Sequence, residues 1–83
     1  LTKYFAQLLA PHGVTVNAIA PGPTETAKER LSTEQIAAIE KRVPLGRFAR
    51  ADEMAAAVAL LASDEGGFFV GATLDLNGGL YVR

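Results

Sequence analysis

Apolar residues open the chain at helical spacing. Leu1, Tyr4, Phe5, Leu8 and Leu9 fall at i, i+3, i+4, i+7 and i+8, which places them on one face of a helix. Pro11 and Gly13 end that helix, with Gly13 suited to a left-handed cap. The pattern then changes to a period of two. Val14, Val16, Ala18 and Ala20 alternate, and the residues between them are mostly apolar or β-branched. Val14–Ala20 is therefore expected to be a strand covered on both faces, as in a parallel sheet. Pro21-Gly22-Pro23 stops it and opens an irregular loop running to Thr26.

A capping box follows: Ser32, then Gln35 three residues later. The helix it starts carries Ile36, Ile39 and Val43 on one side and charged residues on the rest, and Pro44 closes it. Pro44-Leu45-Gly46-Arg47 reads as a turn. A third helix is expected over Ala51–Ala62, with Asp52 and Glu53 in its first turn, where negative charge is favoured. Met54, Val58 and Leu61 line one face of it, and Ala55, Ala59 and Ala62 allow close approach to a sheet. Thr73–Leu76 reads as a final strand and Asn77-Gly78-Gly79 as a turn. Helix, strand, long loop with helix, helix and strand is the rhythm of a parallel α/β sheet. Two strands cannot cover three helices, so further strands are expected outside these 83 residues.

Composition narrows the chemistry. The chain has no cysteine and one histidine, His12, so neither a disulfide framework nor a Cys- or His-rich metal site is expected. Eight basic and nine acidic residues are scattered to a net charge of −1, without the basic footprint of a nucleic-acid binder. No apolar run approaches the roughly 20 residues of a membrane span. His12 sits in the last helical turn without an acidic or nucleophilic neighbour, which favours a dipole role over a catalytic one. Asn17, the polar exception in its strand, is expected to satisfy backbone groups of neighbouring segments. The chain opens on Leu1 inside a helix with no cap before it, and is expected to be a piece of a longer protein.

Four stretches in register resemble the C-terminal half of the short-chain dehydrogenase/reductase family. They are Val16-Asn17-Ala18-Ile19-Ala20-Pro21-Gly22, Pro44-Leu45-Gly46-Arg47, the run from Asp52-Glu53 to Ala62-Ser63-Asp64, and Gly71-Ala72-Thr73-Leu74-Asp75-Leu76-Asn77-Gly78-Gly79. The members nearest in pattern are similar to 3-oxoacyl-carrier-protein reductases. The resemblance implies an α/β fold, the C-terminal portion of a doubly wound parallel-sheet Rossmann fold. Residues 1–83 would form the C-terminal part of a single domain, with a substrate lid over about 21–47 and the N-terminal cofactor-binding half outside the chain. It also implies NAD or NADP as cofactor, a small carbonyl or alcohol substrate, a homo-oligomer (dimer or tetramer) and a cytoplasmic location.

Carried over position by position, the resemblance makes Pro21, Gly22, Thr24 and Thr26 the cofactor-binding residues. Pro21 and Gly22 would shape the turn and let the backbone approach the nicotinamide. The Thr24 backbone would hydrogen-bond the carboxamide, and the Thr26 hydroxyl would contact the carboxamide or the pyrophosphate. On the residues alone, Thr24 and Thr26 also suit the role of helix caps. The family's Tyr-x-x-x-Lys pair is not in this chain: Leu8 stands four residues after Tyr4, and Tyr81 is two residues from the end. No catalytic residue and no metal ligand is therefore expected here, and the 83 residues alone are expected to be inactive. Two other readings compete. One is a truncated, inactive interaction module in which Ala51–Arg83 pairs with a full-length subunit. The other is an unrelated small α/β binding domain.

Overall fold

The computed structural model describes residues 1–82. Arg83, the last residue of the expected interface segment, lies outside them. The described residues form a mixed helix and strand fold with one two-stranded sheet, and they divide into two compact units.

The first unit joins Leu1–Ile19 to Ala55–Leu74. Helix α1 spans Thr2–Leu9 and tightens into a 3₁₀ turn over Ala10–His12, where Pro11 fits. Gly13 caps it at φ 76, donating its N–H to the Ala10 carbonyl at 3.0 Å. Ala6 is the buried residue of the helix, and the backbone of Gly71 lies against it. The apolar face expected to pack does not. Leu1 is 93% exposed and Tyr4 64%, because no layer in the unit lies over that side. Helix α3 covers Ala51–Ala62, as its pattern predicts, yet its apolar face is only partly covered: Met54 and Leu61 are half-buried. Val58 is 54% exposed, and Ala55, Ala59 and Ala62 are exposed as well.

The strands are β1, Ala18–Pro21, and β2, Thr73–Leu76. They pair in parallel, as bonds rising together along both segments show: Gly71 N–H to Val16 O, Ala18 N–H to Ala72 O and Gly22 N–H to Leu76 O, each 2.9 Å. The expected strand Val14–Ala20 is thus shortened at its start and extended to Pro21. Its residues are half-buried or exposed rather than covered on both faces. Asn17 supplies the local reason. Its Nδ2 donates to the Phe69 carbonyl at 3.0 Å, and its Oδ1 accepts from the Ala72 N–H at 2.9 Å. A side chain takes the place of a main-chain ladder bond there, which is the backbone-satisfying role the sequence assigns to it.

The second unit joins residues 20–54 to 75–82. Its core is Val43 and Phe48, 3% and 2% exposed. A 3₁₀ turn over Glu25–Arg30 precedes helix α2, Thr33–Arg42. The capping box is present in both halves: Gln35 N–H to Ser32 Oγ at 3.1 Å and Ser32 N–H to Gln35 Oε1 at 2.8 Å. Val43 ends α2. The Asn77-Gly78-Gly79 turn closes on itself, with Gly79 N–H donating to Asn77 Oδ1 at 3.0 Å and Leu80 N–H to Asn77 O at 3.1 Å.

Candidate functional site

The candidate residues all belong to the second unit. Pro21 ends β1, and Gly22 bonds to the end of β2 through its N–H. A Cβ on Gly22 would stand 2.7 Å from the Asn77 Cβ, closer than carbon atoms pack. The lack of a side chain at Gly22 is thus accounted for inside the chain. Pro21 and Gly22 line a cavity of about 280 Å³ together with Asn77, Leu80 and Tyr81. Pro23 lines a second, of about 230 Å³, with Leu45, Arg47 and Met54. Thr24 and Thr26 line neither.

Thr24 is held in an isolated parallel bridge to Ala49. Ala49 N–H donates to the Pro23 carbonyl at 2.9 Å, and Glu25 N–H to the Ala49 carbonyl at 2.8 Å. In this pattern the bonds belong to the residues on either side of Thr24, so its own N–H and C=O face away from Ala49. The C=O accepts from Ala27 N–H at 3.0 Å. The Thr24 N–H has no acceptor among the described residues.

Thr24 occupies the cap position of the 3₁₀ turn, but its hydroxyl makes no capping bond. The Thr24 and Thr26 Oγ1 atoms are instead 3.1 Å apart and share a hydrogen bond. Capping, the alternative the residue types allow, is not what these side chains do.

Residues that the sequence does not assign to the site hold the loop. Beneath the 3₁₀ turn lies Phe48, with Lys28 Nζ 4.9 Å from its ring centroid, a cation over an aromatic face. A lone aromatic in the polar stretch from Gly46 to Glu53 was the available signal for this anchor. Arg47 grips Glu53 in a two-pronged pair, Nη1 to Oε1 at 2.7 Å and Nη2 to Oε2 at 2.9 Å. The Arg50 N–H adds a third bond to Glu53 Oε1 at 2.9 Å. The Arg47 bond first, then the Arg50 N–H, lowers the Glu53 carboxyl from 4.5 to about 2. The same pair raises the Arg47 pKa. These bonds fix the start of α3 and the segment that presents Ala49 to Thr24.

Among the described residues no cluster of His, Asp and Glu could hold a metal ion. No helix among these residues is long and apolar enough to cross a membrane.

The loop follows the carboxyl end of a parallel strand, the end at which open α/β sheets bind ligands. A family model described as enoyl-(acyl carrier protein) reductase matches residues 1–81. The chain is 49% identical to the 3-oxoacyl-[acyl-carrier-protein] reductases FabG of Salmonella typhimurium and of Escherichia coli K12, over 98% of its own length. It is 45% identical to the acetoacetyl-CoA reductase of Allochromatium vinosum over 99%. It therefore belongs to the short-chain dehydrogenase/reductase family. In each case it spans 34% of the relative's length.

Proposed function

We propose that these residues are the C-terminal part of an NAD- or NADP-dependent short-chain oxidoreductase, within a doubly wound Rossmann domain whose cofactor-binding half is in other residues of the same protein. Two observations support a larger parent. The relatives are about three times as long, and the apolar positions Leu1, Tyr4, Leu8 and Val58 are uncovered. The partly open face of α3 also suits the proposed homo-oligomer. A cytoplasmic location is part of the same reading.

The single observation that carries the cofactor assignment is the Thr24 N–H, aimed away from its bridge and without an acceptor among the described residues. A carboxamide offers one acceptor oxygen and two donor hydrogens. The Thr24 N–H supplies a donor for the oxygen, and the two threonine hydroxyls supply donor and acceptor capacity beside it. The residues present therefore fit the nicotinamide end of such a cofactor. Thr24 and Thr26 would hold it, while Pro21 and Gly22 shape the approach. When bound, the nicotinamide supplies the hydride exchanged with the substrate carbon. This chain binds and orients, and the proton transfer belongs to the Tyr-x-x-x-Lys pair that the resemblance places in other residues.

The relatives' names share a 3-oxoacyl thioester, on a carrier protein or on coenzyme A. The proposed substrate is a carbonyl of that class, reduced to the 3-hydroxy compound. The test is turnover by the complete protein with NADH or NADPH and a short 3-oxoacyl thioester, followed by the loss of reduced nicotinamide. Turnover is expected from the complete protein and none from the 83-residue piece. A folded, complete protein that oxidises neither cofactor with any 3-oxo thioester or simple ketone would contradict the assignment.

A further inference from the structure

We propose that the Thr24 hydroxyl, besides meeting the carboxamide itself, fixes the direction of the Thr26 hydroxyl, so that the two act as one donor–acceptor pair. The assignment rests on the placement of the nicotinamide at this loop proposed above.

Two hydroxyls carry two hydrogens. One is used between the Oγ1 atoms at 3.1 Å. The hydroxyl that accepts keeps its own hydrogen to donate outward, and the hydroxyl that donates keeps lone pairs to accept outward. The pair is therefore complementary to both halves of an amide at once, while a lone hydroxyl meets one half at a time. Thr26 is exposed, and without a partner its hydroxyl hydrogen would rotate freely.

Thr24 is suited to fix it. Its backbone is clamped by the two bonds at Ala49, Pro23 before it limits the approach of the chain, and its β-branched side chain is stiff at χ1. A threonine in the cap position ordinarily accepts from the helix backbone. Thr24 does not, so its hydroxyl is available to Thr26.

The test uses the complete enzyme with Thr24→Val, Thr24→Ser, Thr26→Val and the double variant Thr24→Val/Thr26→Val. The Kd of the reduced cofactor is read by fluorescence, beside KM for the oxo substrate and the unfolding midpoint. Thr24→Val is expected to weaken cofactor binding by about two- to tenfold, the range of one hydrogen bond, with the substrate KM and the midpoint unchanged. Thr24→Ser is expected to restore affinity, since it restores the hydroxyl. In the Thr26→Val background, Thr24→Val is expected to cost clearly less than it does alone, since the pairing is already lost and only the contact of Thr24 itself remains. An unchanged Thr24→Val enzyme beside a weakened Thr26→Val enzyme overturns the proposal alone. So does a Thr24→Val effect that adds in full to Thr26→Val, or one that Thr24→Ser shares. An unchanged Thr26→Val enzyme overturns the placement of the nicotinamide, and this proposal with it.

Discussion

Gly22 and Asn77 meet backbone to backbone: a Cβ on Gly22 would lie 2.7 Å from the Asn77 Cβ and 2.8 Å from its Cα. The obstacle is main chain, so no rotamer change relieves it. Asn77 is itself fixed, with Nδ2 donating to the Tyr81 carbonyl at 3.0 Å and Oδ1 accepting from Gly79 N–H. The loop that carries Thr24 thus leaves β1 along a path set by the turn after β2.

Gly22→Ala should therefore destabilise the complete protein by about 1–3 kcal/mol, the usual cost of overpacking a fitted site. It should also weaken cofactor binding, because Thr24 follows two residues later. Urea unfolding and a cofactor titration read the two effects. A variant of wild-type stability would show that Asn77 yields easily and that the contact does not set the loop's path.

Acid should weaken the protein partly through Glu53. Its carboxyl ionises at about 2 in the folded chain against an ordinary 4.5, chiefly because of Arg47. A depressed folded value means that the unfolded chain binds the proton more readily. The contribution is complete above pH 4.5, and is lost as pH falls toward 2. The midpoint of thermal unfolding, compared between wild type and Glu53→Gln, should show a wild-type advantage that shrinks across that window. A difference constant with pH would place the value of the Arg47–Glu53 pair elsewhere than in charge.

Asn17 should matter to stability and not to turnover. Removing it as Asn17→Ala leaves the Phe69 carbonyl and the Ala72 N–H unpaired, which costs about 1–3 kcal/mol where they are shielded from water. Asn17→Asp keeps an acceptor for Ala72 but sets a carboxylate against the Phe69 carbonyl, and should be at least as harmful near neutral pH. Denaturant midpoints check the order, and a fall in kcat at unchanged stability would contradict it.

What the sequence reveals here is local. Ser32 and Gln35 announce α2, and the acidic first turn and alanine run announce α3 over its full length. The 3₁₀ turn Glu25–Arg30 was not legible, because Glu-Thr-Ala-Lys-Glu-Arg has no apolar face of its own; it rests on Phe48, which arrives later in the chain. Alternation at Val14–Ala20 overstated the strand, since a ladder needs a neighbour and Asn17 occupies part of the edge. Thr24 and Thr26 were legible as hydroxyls on a loop. Their bond to one another was not, and neither was the Ala49 bridge that turns the Thr24 N–H outward. The glycine at position 22 was legible as a turn residue, but its steric partner, Asn77, is supplied by distant chain.

The central claim is that the Pro21–Thr26 loop receives the nicotinamide end of a dinucleotide, and amide hydrogen exchange at Thr24 tests it most directly. In the cofactor-free, complete protein the Thr24 N–H should exchange quickly, while Glu25 and Ala49, which donate across the bridge, exchange slowly. Saturating NADH or NADPH should slow Thr24 markedly and leave Ala49 little changed. If the cofactor binds and protects other amides while Thr24 still exchanges at its free rate, the nicotinamide does not sit at this loop.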